Sequence, residues 1–419
     1  MQPLRPAIRR YPWGSTTLLP ELAGQPATGD HIAELWFGAH TAGPAHVVVS
    51  DDTLISLDKY IAADPHHHLG ATVQHHADGR LPFMLKLLAA DEPLSLQAHP
   101  TRAEAEAGFA RENAAGLALD DPQRNYKDPN HKPELIVALT RFRALAGFRP
   151  IARTQELFAV LDCPELAPYI EVVSSTSSAG ESEQLHSLFR RWVTLADDIR
   201  EDLIRAVVDV ASTILAADSA RGSVAGWILD SLRTVVDLQR RYPGDIGVLS
   251  ALLLHHVTLE PGQAICLKSG QLHAYLEGMG VEIMANSDNV LRGGLTEKHV
   301  DVPELLKVLD FSSVPDPIVE PYSSADGRLR YPAHSDEFVL ERVELTCEQP
   351  TLRCGHDGPA IVLVTRGAVR CEEHILRPTE AVWLPAGAAE TEFAVVGRET
   401  CEEAGVETET SAELFIART

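Results

Sequence analysis

The segment Leu94-Ser-Leu-Gln-Ala-His99 holds the residue types best suited to chemistry. Read as a strand, it sends Leu94, Leu96 and Ala98 to one face and Ser95, Gln97 and His99 to the other, because successive side chains alternate. Gln97 and His99 are then neighbours on a polar face of rigid β structure, able to clamp a metal ion. Two further apolar runs carry ligand types. His131-Lys-Pro-Glu134 leads directly into Leu135-Ile-Val-Ala-Leu139, which puts Glu134 at a strand mouth with Lys132 on the same face. His273 follows the turn at Gly270 inside Leu272-His-Ala-Tyr-Leu276, with Leu272, Ala274 and Leu276 opposite it. Two imidazoles, a carboxylate and an amide oxygen make four protein donors and leave a position for water or a substrate oxygen. Zn²⁺ accepts such a set, as do Fe²⁺ and Mn²⁺ by ligand type. Spacing alone favours the plainer reading, in which Glu134 pairs with Lys132 and His273 is a hydrogen-bonded core histidine.

Other side chains stand out by position. Lys86 lies between Met84 and Leu88 on one face of an apolar strand, a costly place for an ammonium unless it is paired or functional. Glu282, Met284 and Asn286 share one face of a strand opposite Val281, Ile283 and Ala285, so Glu282 is expected to point into a cavity, as a base or as a partner orienting a metal ligand. The runs His66–His68 and His75-His76 lack acidic ligands nearby, and no metal is expected there.

The elements that must position these groups fall into three textures. Up to about residue 150, short β-like runs (Ala45–Val49, Phe83–Leu88, Leu94–His99, Leu135–Leu139) alternate with Pro and Gly, interrupted by one helix that starts from a Thr101/Glu104 capping box and runs to Asn113. From about 152 to 245 the chain is expected to be helical: Leu185, Leu188, Phe189 and Trp192 fall at i, i+3, i+4 and i+7, and Val224, Trp227, Ile228, Leu232 and Val235 nearly repeat that face. The Ser174–Ser178 run is expected to be an exposed loop. β texture returns at Val257 and continues to the end, apart from a helix at Pro303–Val308. Short runs at Phe338–Leu345, Ala360–Thr365, Ala368–Cys371, Ala381–Leu384, Thr391–Val396 and Leu414–Ala417 suggest an antiparallel sandwich or jelly roll. The acidic run Glu399, Glu402, Glu403, Glu407, Glu409 and Glu413 is expected to be a solvated loop. Cys266–His273 aligns without gaps with Trp383–Glu390, an echo in which glutamate replaces histidine, so the second copy is expected to hold no metal.

Composition excludes several partners. The 419 residues carry 36 Lys+Arg against 60 Asp+Glu, a formal charge of −24. That charge, without any Lys/Arg run of five, argues against nucleic acid. Apolar runs such as Ala251–Leu254 fall far short of the ~20 residues of a bilayer span, and no membrane association is expected. The N-terminus lacks the apolar core of a signal peptide, and a cytoplasmic location is expected. The six scattered cysteines form no Cys-x-x-Cys pair and receive no role.

Several ordered blocks closely resemble the type I mannose-6-phosphate isomerase (phosphomannose isomerase) family of the cupin superfamily. They are Tyr11-Pro-Trp-Gly14, Glu34-Leu-Trp-Phe-Gly-Ala-His40, Pro82–Ala90, Glu92–Pro100, Asn125–Glu134 and Gly280–Thr296. The resemblance covers residues 3 to about 312 and is weaker in the helical block and beyond. It implies a mainly β fold with an α insertion: two cupin-like jelly-roll β-barrels plus a helical domain. The corresponding division is 1–150 with 250–315 as the catalytic jelly roll, 151–249 as the helical insertion, and 320–419 as a second, metal-free jelly roll. It places one Zn²⁺ per chain on Gln97, His99, Glu134 and His273, and an active-site arginine at Arg292. The implied reaction moves a proton between C1 and C2 of an open-chain sugar phosphate, interconverting mannose 6-phosphate and fructose 6-phosphate through an enediolate. Among possible bases, His131, Lys132 and Glu282 rank together, with Tyr275 and Asp288 nearby in the second block. Candidates to grip the phosphate are Lys86, Ser95, Lys298 and Lys132. Thr296-Glu-Lys298 stands where the family usually has Thr-Pro-Lys, which weakens the inference for Lys298. A small sugar phosphate is the expected partner and a monomer the expected state. The competing readings are a metal-dependent cupin oxygenase and a non-catalytic sugar-binding cupin.

Overall fold

The strand Ala360–Arg366 sends Ile361 and Leu363 to one side and Val362 and Val364 to the other, and all four are fully buried. A strand apolar on both faces needs a layer against each. The computed structural model, which describes residues 1–50, 53–173, 179–324, 327–355, 358–396 and 411–419, supplies both. Ala360–Arg366 lies within a nine-stranded antiparallel sheet. On one face of this sheet Val362, Val364, Val382, Leu384, Leu414 and Ile416 meet Leu352, Val369 and Phe393 of a four-stranded sheet. On the other, Ile361, Leu363, Trp383 and Phe415 meet Phe37, Leu85, Leu87, Val281 and Ile283 of an eleven-stranded sheet.

The nine-stranded sheet joins the two ends of the chain. Gln2–Arg5 pairs with Ala381–Leu384 on one side and His46–Ser50 on the other, with Leu4 opposite both Ala381 and Val47. Strands from the first 56 residues thus complete the sheet built by the C-terminal segment. Texture along the chain did not show that pairing.

The eleven-stranded sheet is organised by one long strand, His273–Ala285. Its second half pairs with Phe83–Ala90 and Glu134–Ala138, its first half with Gln97 and with Phe142–Phe148. A bulge between Tyr275 and Glu277, followed by Gly278 at φ 116°, turns one half away from the other. The sheet thereby curves around a single apolar cluster that includes Leu88, Ile136, Phe142, Val257, Leu267 and Tyr275. The outer face of the first half, with Leu96, Ala98, Leu272, Ala274 and Leu276, packs against the helical block.

That block comprises Ile151–Leu161, Glu181–Val193, Asp197–Arg221 and Gly226–Arg241 together with short turns. Leu185, Leu188, Phe189 and Trp192 are buried, as are Ile228, Leu232 and Val235, so both apolar stripes face the core. The capping box forms: Thr101 N–H donates to Glu104 Oε2 at 2.9 Å, and Glu104 N–H to Thr101 Oγ1 at 3.3 Å.

Three expectations are corrected. Helices and strands take about equal shares of the described chain, so the fold is mixed rather than mainly β. Before residue 100 there are additional helices, Leu18–Leu22, Leu57–Ala63 and Pro65–His76, where none was read. The last of these, broken at Gly70 (φ 74°) into two short helical pieces, carries the histidine runs; its apolar residues form no 3.6-residue stripe, and its helical signals are Pro65 in the first turn and the Asp64 side chain accepting from His67 N–H at 3.0 Å. Glu413 belongs not to a solvated loop but to the final strand Ala412–Arg418, paired with Arg342 at 2.6 Å. The Ser174–Ser178 run and the acidic residues Glu399–Glu409 lie outside the described residues. Among the described residues no helix is long and apolar enough to cross a membrane.

Candidate metal centre and active site

Three buried side chains converge from separate strands. Glu134 opens Glu134–Ala138, His273 opens His273–Ala285, and His99 directly follows Leu96–Ala98. His99 Nε2 lies 3.3 Å from Glu134 Oε1, and His273 Nε2 lies 3.3 Å from Glu134 Oε2. Neither contact has hydrogen-bond geometry: both Nε2 atoms and Glu134 Oε2 are buried and unpartnered. Polar atoms in that condition are costly unless a further group joins them.

The other ring nitrogens settle the tautomers. His99 Nδ1–H donates to the Asn289 carbonyl at 2.7 Å, and His273 Nδ1–H to the Gln271 carbonyl at 2.9 Å. Each Nε2 therefore carries a lone pair aimed at the cluster. Burial, helped by the Lys132 charge and opposed by Glu134, pushes the His99 imidazole down to about 4, so it is neutral at pH 7. Burial would push the Glu134 carboxyl up, but Lys132 Nζ at 2.9 Å and the two imidazoles outweigh it and hold the group well below the usual carboxylate range. Two neutral imidazole nitrogens and an ionised carboxylate are a donor set that fits a zinc ion.

Sheet register extends the cluster. Gln97 is paired directly with His273 on one side and Arg292 on the other, so these three side chains project from the same face in a row. Gly270, at φ 79°, makes the tight turn ahead of His273; a Cβ there would sit 2.9 Å from the Asp310 nitrogen and from the Val308 carbonyl oxygen.

Behind the cluster lies a chain of buried charge. Lys86 Nζ reaches Glu282 Oε2 at 3.0 Å and Glu34 Oε1 at 3.4 Å. Tyr275 O–H donates to Glu282 Oε1 at 2.8 Å, and Trp36 Nε1–H to Glu34 Oε2 at 2.9 Å. Burial pulls the Lys86 ammonium down, yet the carboxylates overcome it and its pKa rises. Burial raises the Glu282 carboxyl, with Lys86 opposing.

Comparison with known proteins places this geometry. Residues 1–151 match the catalytic domain of type I phosphomannose isomerase. The chain is 35% identical to the mannose-6-phosphate isomerase of Escherichia coli (strain K12) over 395 residues, 92% of this chain and 95% of that one. It is 34% identical to the Homo sapiens mannose-6-phosphate isomerase over 350 residues, 80% of this chain and 77% of that one. The chain belongs to the type I phosphomannose isomerases. A solved phosphomannose isomerase variant from Salmonella typhimurium superimposes with a TM-score of 0.84 at 31% identity, over 100% of this chain and 99% of that one. A zinc-bound mannose 6-phosphate isomerase does so at 0.83 and 32%, with the same coverage.

Within this phosphomannose isomerase fold the remaining expected residues take distinct positions. Lys132 is buried against Glu134, and Tyr275 is buried against Glu282. The strand expected over Leu94–His99 is shorter, leaving Ser95 half-buried just before it. Arg292 is half-buried and Lys298 exposed, and neither has an acidic partner among the described residues; burial lowers both, with Arg292 adding to the effect on Lys298. His131 is half-buried and turned toward Glu337, at 2.6 Å. Asp288 is exposed, with His40 Nε2 at 3.4 Å. Glu390, the echo of His273, is exposed beside Thr391–Val395.

Two organising residues were not singled out from sequence. The Asn289 side chain is buried, accepts from Lys127 N–H at 2.7 Å, and donates to the Asp128 and Asn130 carbonyls at 2.7 Å each. Since its own carbonyl holds His99, Asn289 fastens two ligand-bearing segments together. Asp245, from the helical side, accepts from the Gly247 and Leu295 amides at 2.7 Å and from the Thr296 amide at 3.3 Å, which pins the loop after Arg292. Apart from the turn from Asp245 to the Gly247 amide, their partners are distant loop amides and carbonyls, which no local pattern in the sequence marks.

Proposed function

We propose that the chain is a zinc-dependent aldose–ketose isomerase that interconverts mannose 6-phosphate and fructose 6-phosphate. The observation that carries the reading is the convergence of three buried, unpartnered donor atoms from His99, Glu134 and His273 in a chain of this family. Gln97, beside His273, completes the donor set. Zinc bound there supplies positive charge that polarises substrate oxygens and stabilises an enediolate.

The protein groups divide the remaining work. Arg292 and Lys298 are cations with no acidic partner among the described residues, suited to the enediolate oxygen and the phosphate. Lys132 keeps Glu134 ionised, and Lys86 balances Glu34 and Glu282, so neither lysine is free for the phosphate. Of the three candidate bases, Glu282 has both oxygens engaged and Lys132 is tied to Glu134. His131 keeps one ring nitrogen, Nδ1, with no hydrogen-bond partner among the described residues. That favours His131 as the group that takes a proton from one substrate carbon and returns it to the next. Ser95, Tyr275 and Asp288 are assigned to the walls of the substrate site. The curved catalytic sheet and the sandwich of the nine- and four-stranded sheets are read as two cupin-like jelly rolls, the first from 1–150 with 250–315 and the second from 320–419, except that Gln2–Arg5, His46–Ser50 and Thr53–Ser56 join the second, with 151–249 as the helical insertion.

The test is a coupled isomerase assay with metal analysis. Zinc-loaded protein is expected to interconvert the two sugar phosphates, and a chelator to abolish turnover. His99→Ala and His273→Ala should each lose bound zinc, whereas Arg292→Ala should keep zinc and lose turnover. A zinc-loaded preparation inert in this assay would sink the reading, and oxygen consumption would point to an oxygenase instead.

A further inference from the structure

The C-terminal segment reaches the catalytic sheet through one carboxylate. Glu337, just ahead of the strand Val339–Leu345, places Oε1 2.6 Å from His131 Nε2. The Arg102 guanidinium donates to the same oxygen, and Ser335 Oγ–H donates to Oε2. Both partners are largely covered, the His131 side chain 21% and that of Glu337 19% exposed. Burial would push the Glu337 carboxyl up, but His131 and Ser335 hold it down at about 2, so it is ionised at neutral pH. The His131 backbone is fixed as well, since its neighbour Asn130 is held by Asn289 through the carbonyl and by Arg102 through the side chain at 3.1 Å. An imidazole clamped at one nitrogen by a fixed carboxylate, with the other nitrogen unpartnered, has its tautomer chosen for it.

We propose that Glu337 is a positioning residue for the proton transfer: by accepting the Nε2–H of His131 it keeps the lone pair on Nδ1, the atom that meets the substrate. This rests on the isomerase reading above and on His131 as its base. In the forward step the substrate C–H bond breaks, its electron pair enters the enediolate, and the proton adds to Nδ1. The resulting imidazolium faces the Glu337 carboxylate; the hydroxyl proton of the enediolate moves across to the adjacent former carbonyl oxygen, and the proton on Nδ1 passes to the neighbouring carbon, leaving the new carbonyl. The C-terminal segment thus contributes to the proton transfer through His131.

The experiment uses the full-length, zinc-loaded protein. Glu337→Ala is expected to lower kcat about 10–100-fold with KM within about twofold, and Glu337→Asp to recover part of the loss. Zinc content should stay at one per chain in both. Ser335→Ala removes the contact at Glu337 Oε2, the oxygen that does not meet His131, and should keep kcat within about twofold. Nitrogen-15 shifts of the His131 ring should report a protonated Nε2 and a bare Nδ1 in the parent, and a tautomer mixture in Glu337→Ala. Unchanged kcat and ring shifts in Glu337→Ala would overturn the proposal. So would an equal loss in Ser335→Ala, which would make Glu337 a structural tie only. An inactive parent would overturn the isomerase reading and the catalytic role with it, while the ring shifts would still report whether Glu337 sets the tautomer.

Discussion

Lys86 shows how much a single residue's role depends on its partners. An ammonium in an apolar strand suggested a phosphate grip, yet Glu282 at 3.0 Å and Glu34 at 3.4 Å already balance it. Removing one member of such a buried group strands the others. Lys86→Met should therefore cost about 3–5 kcal/mol of stability, read as a lowered denaturation midpoint. A phosphate-gripping lysine would give the opposite pattern, a raised KM at unchanged stability, so one variant decides between the two roles. The proposed metal ligands His99, Glu134 and His273 differ in kind: their unpartnered atoms are costly in the free protein, and a bound ion would turn that cost into affinity.

At the scale of elements, the row His273–Gln97–Arg292 depends on loops held from outside the sheet. Gly294 at φ 135° and Leu295 at φ 54° form an irregular segment after Arg292, and Asp245 satisfies its amides across the boundary with the helical block. Asp245→Ala leaves those donors without their acceptor, a cost of about 1–3 kcal/mol. Because Asp245 holds the arginine loop and not the metal ligands, the expected result is a fall in kcat with full zinc content. Metal analysis alongside the coupled assay checks it, and loss of zinc in this variant would show that the helical block supports the metal centre instead.

The whole molecule carries a charge of −24, so long-range steering opposes an anionic substrate, and in the proposed reading the local cations Arg292 and Lys298 supply the affinity. Acid stability follows from the same charges. The Glu337 carboxyl at about 2 lies below its ordinary value of about 4.3, so its contribution is fully present above the latter and fades as pH falls toward the former. The difference in Tm between the parent and Glu337→Gln should accordingly be largest near pH 6 and shrink progressively as pH falls from about 4 toward about 2. A difference undiminished at pH 2.5 would show that the tie is not electrostatic. Comparing the two proteins at each pH cancels the general relief of repulsion as the other carboxylates protonate.

The sequence by itself determined the faces. Alternation around Gln97–His99, Glu134 and His273, the helical stripes at Leu185–Trp192 and Ile228–Val235, and the Thr101 capping box are local patterns of period two or 3.6, and the structure carries each of them. The helix Pro65–His76 escaped because its apolar residues make no stripe. Only the tertiary structure decided the pairings. Lys86 meets Glu34 52 positions earlier and Glu282 196 positions later, and His131 meets Glu337 206 positions away. The N-terminal strand enters the C-terminal sheet on the same terms. Such contacts arise where sheets close upon one another, and no periodicity along the chain encodes which edge or which carboxylate will be there.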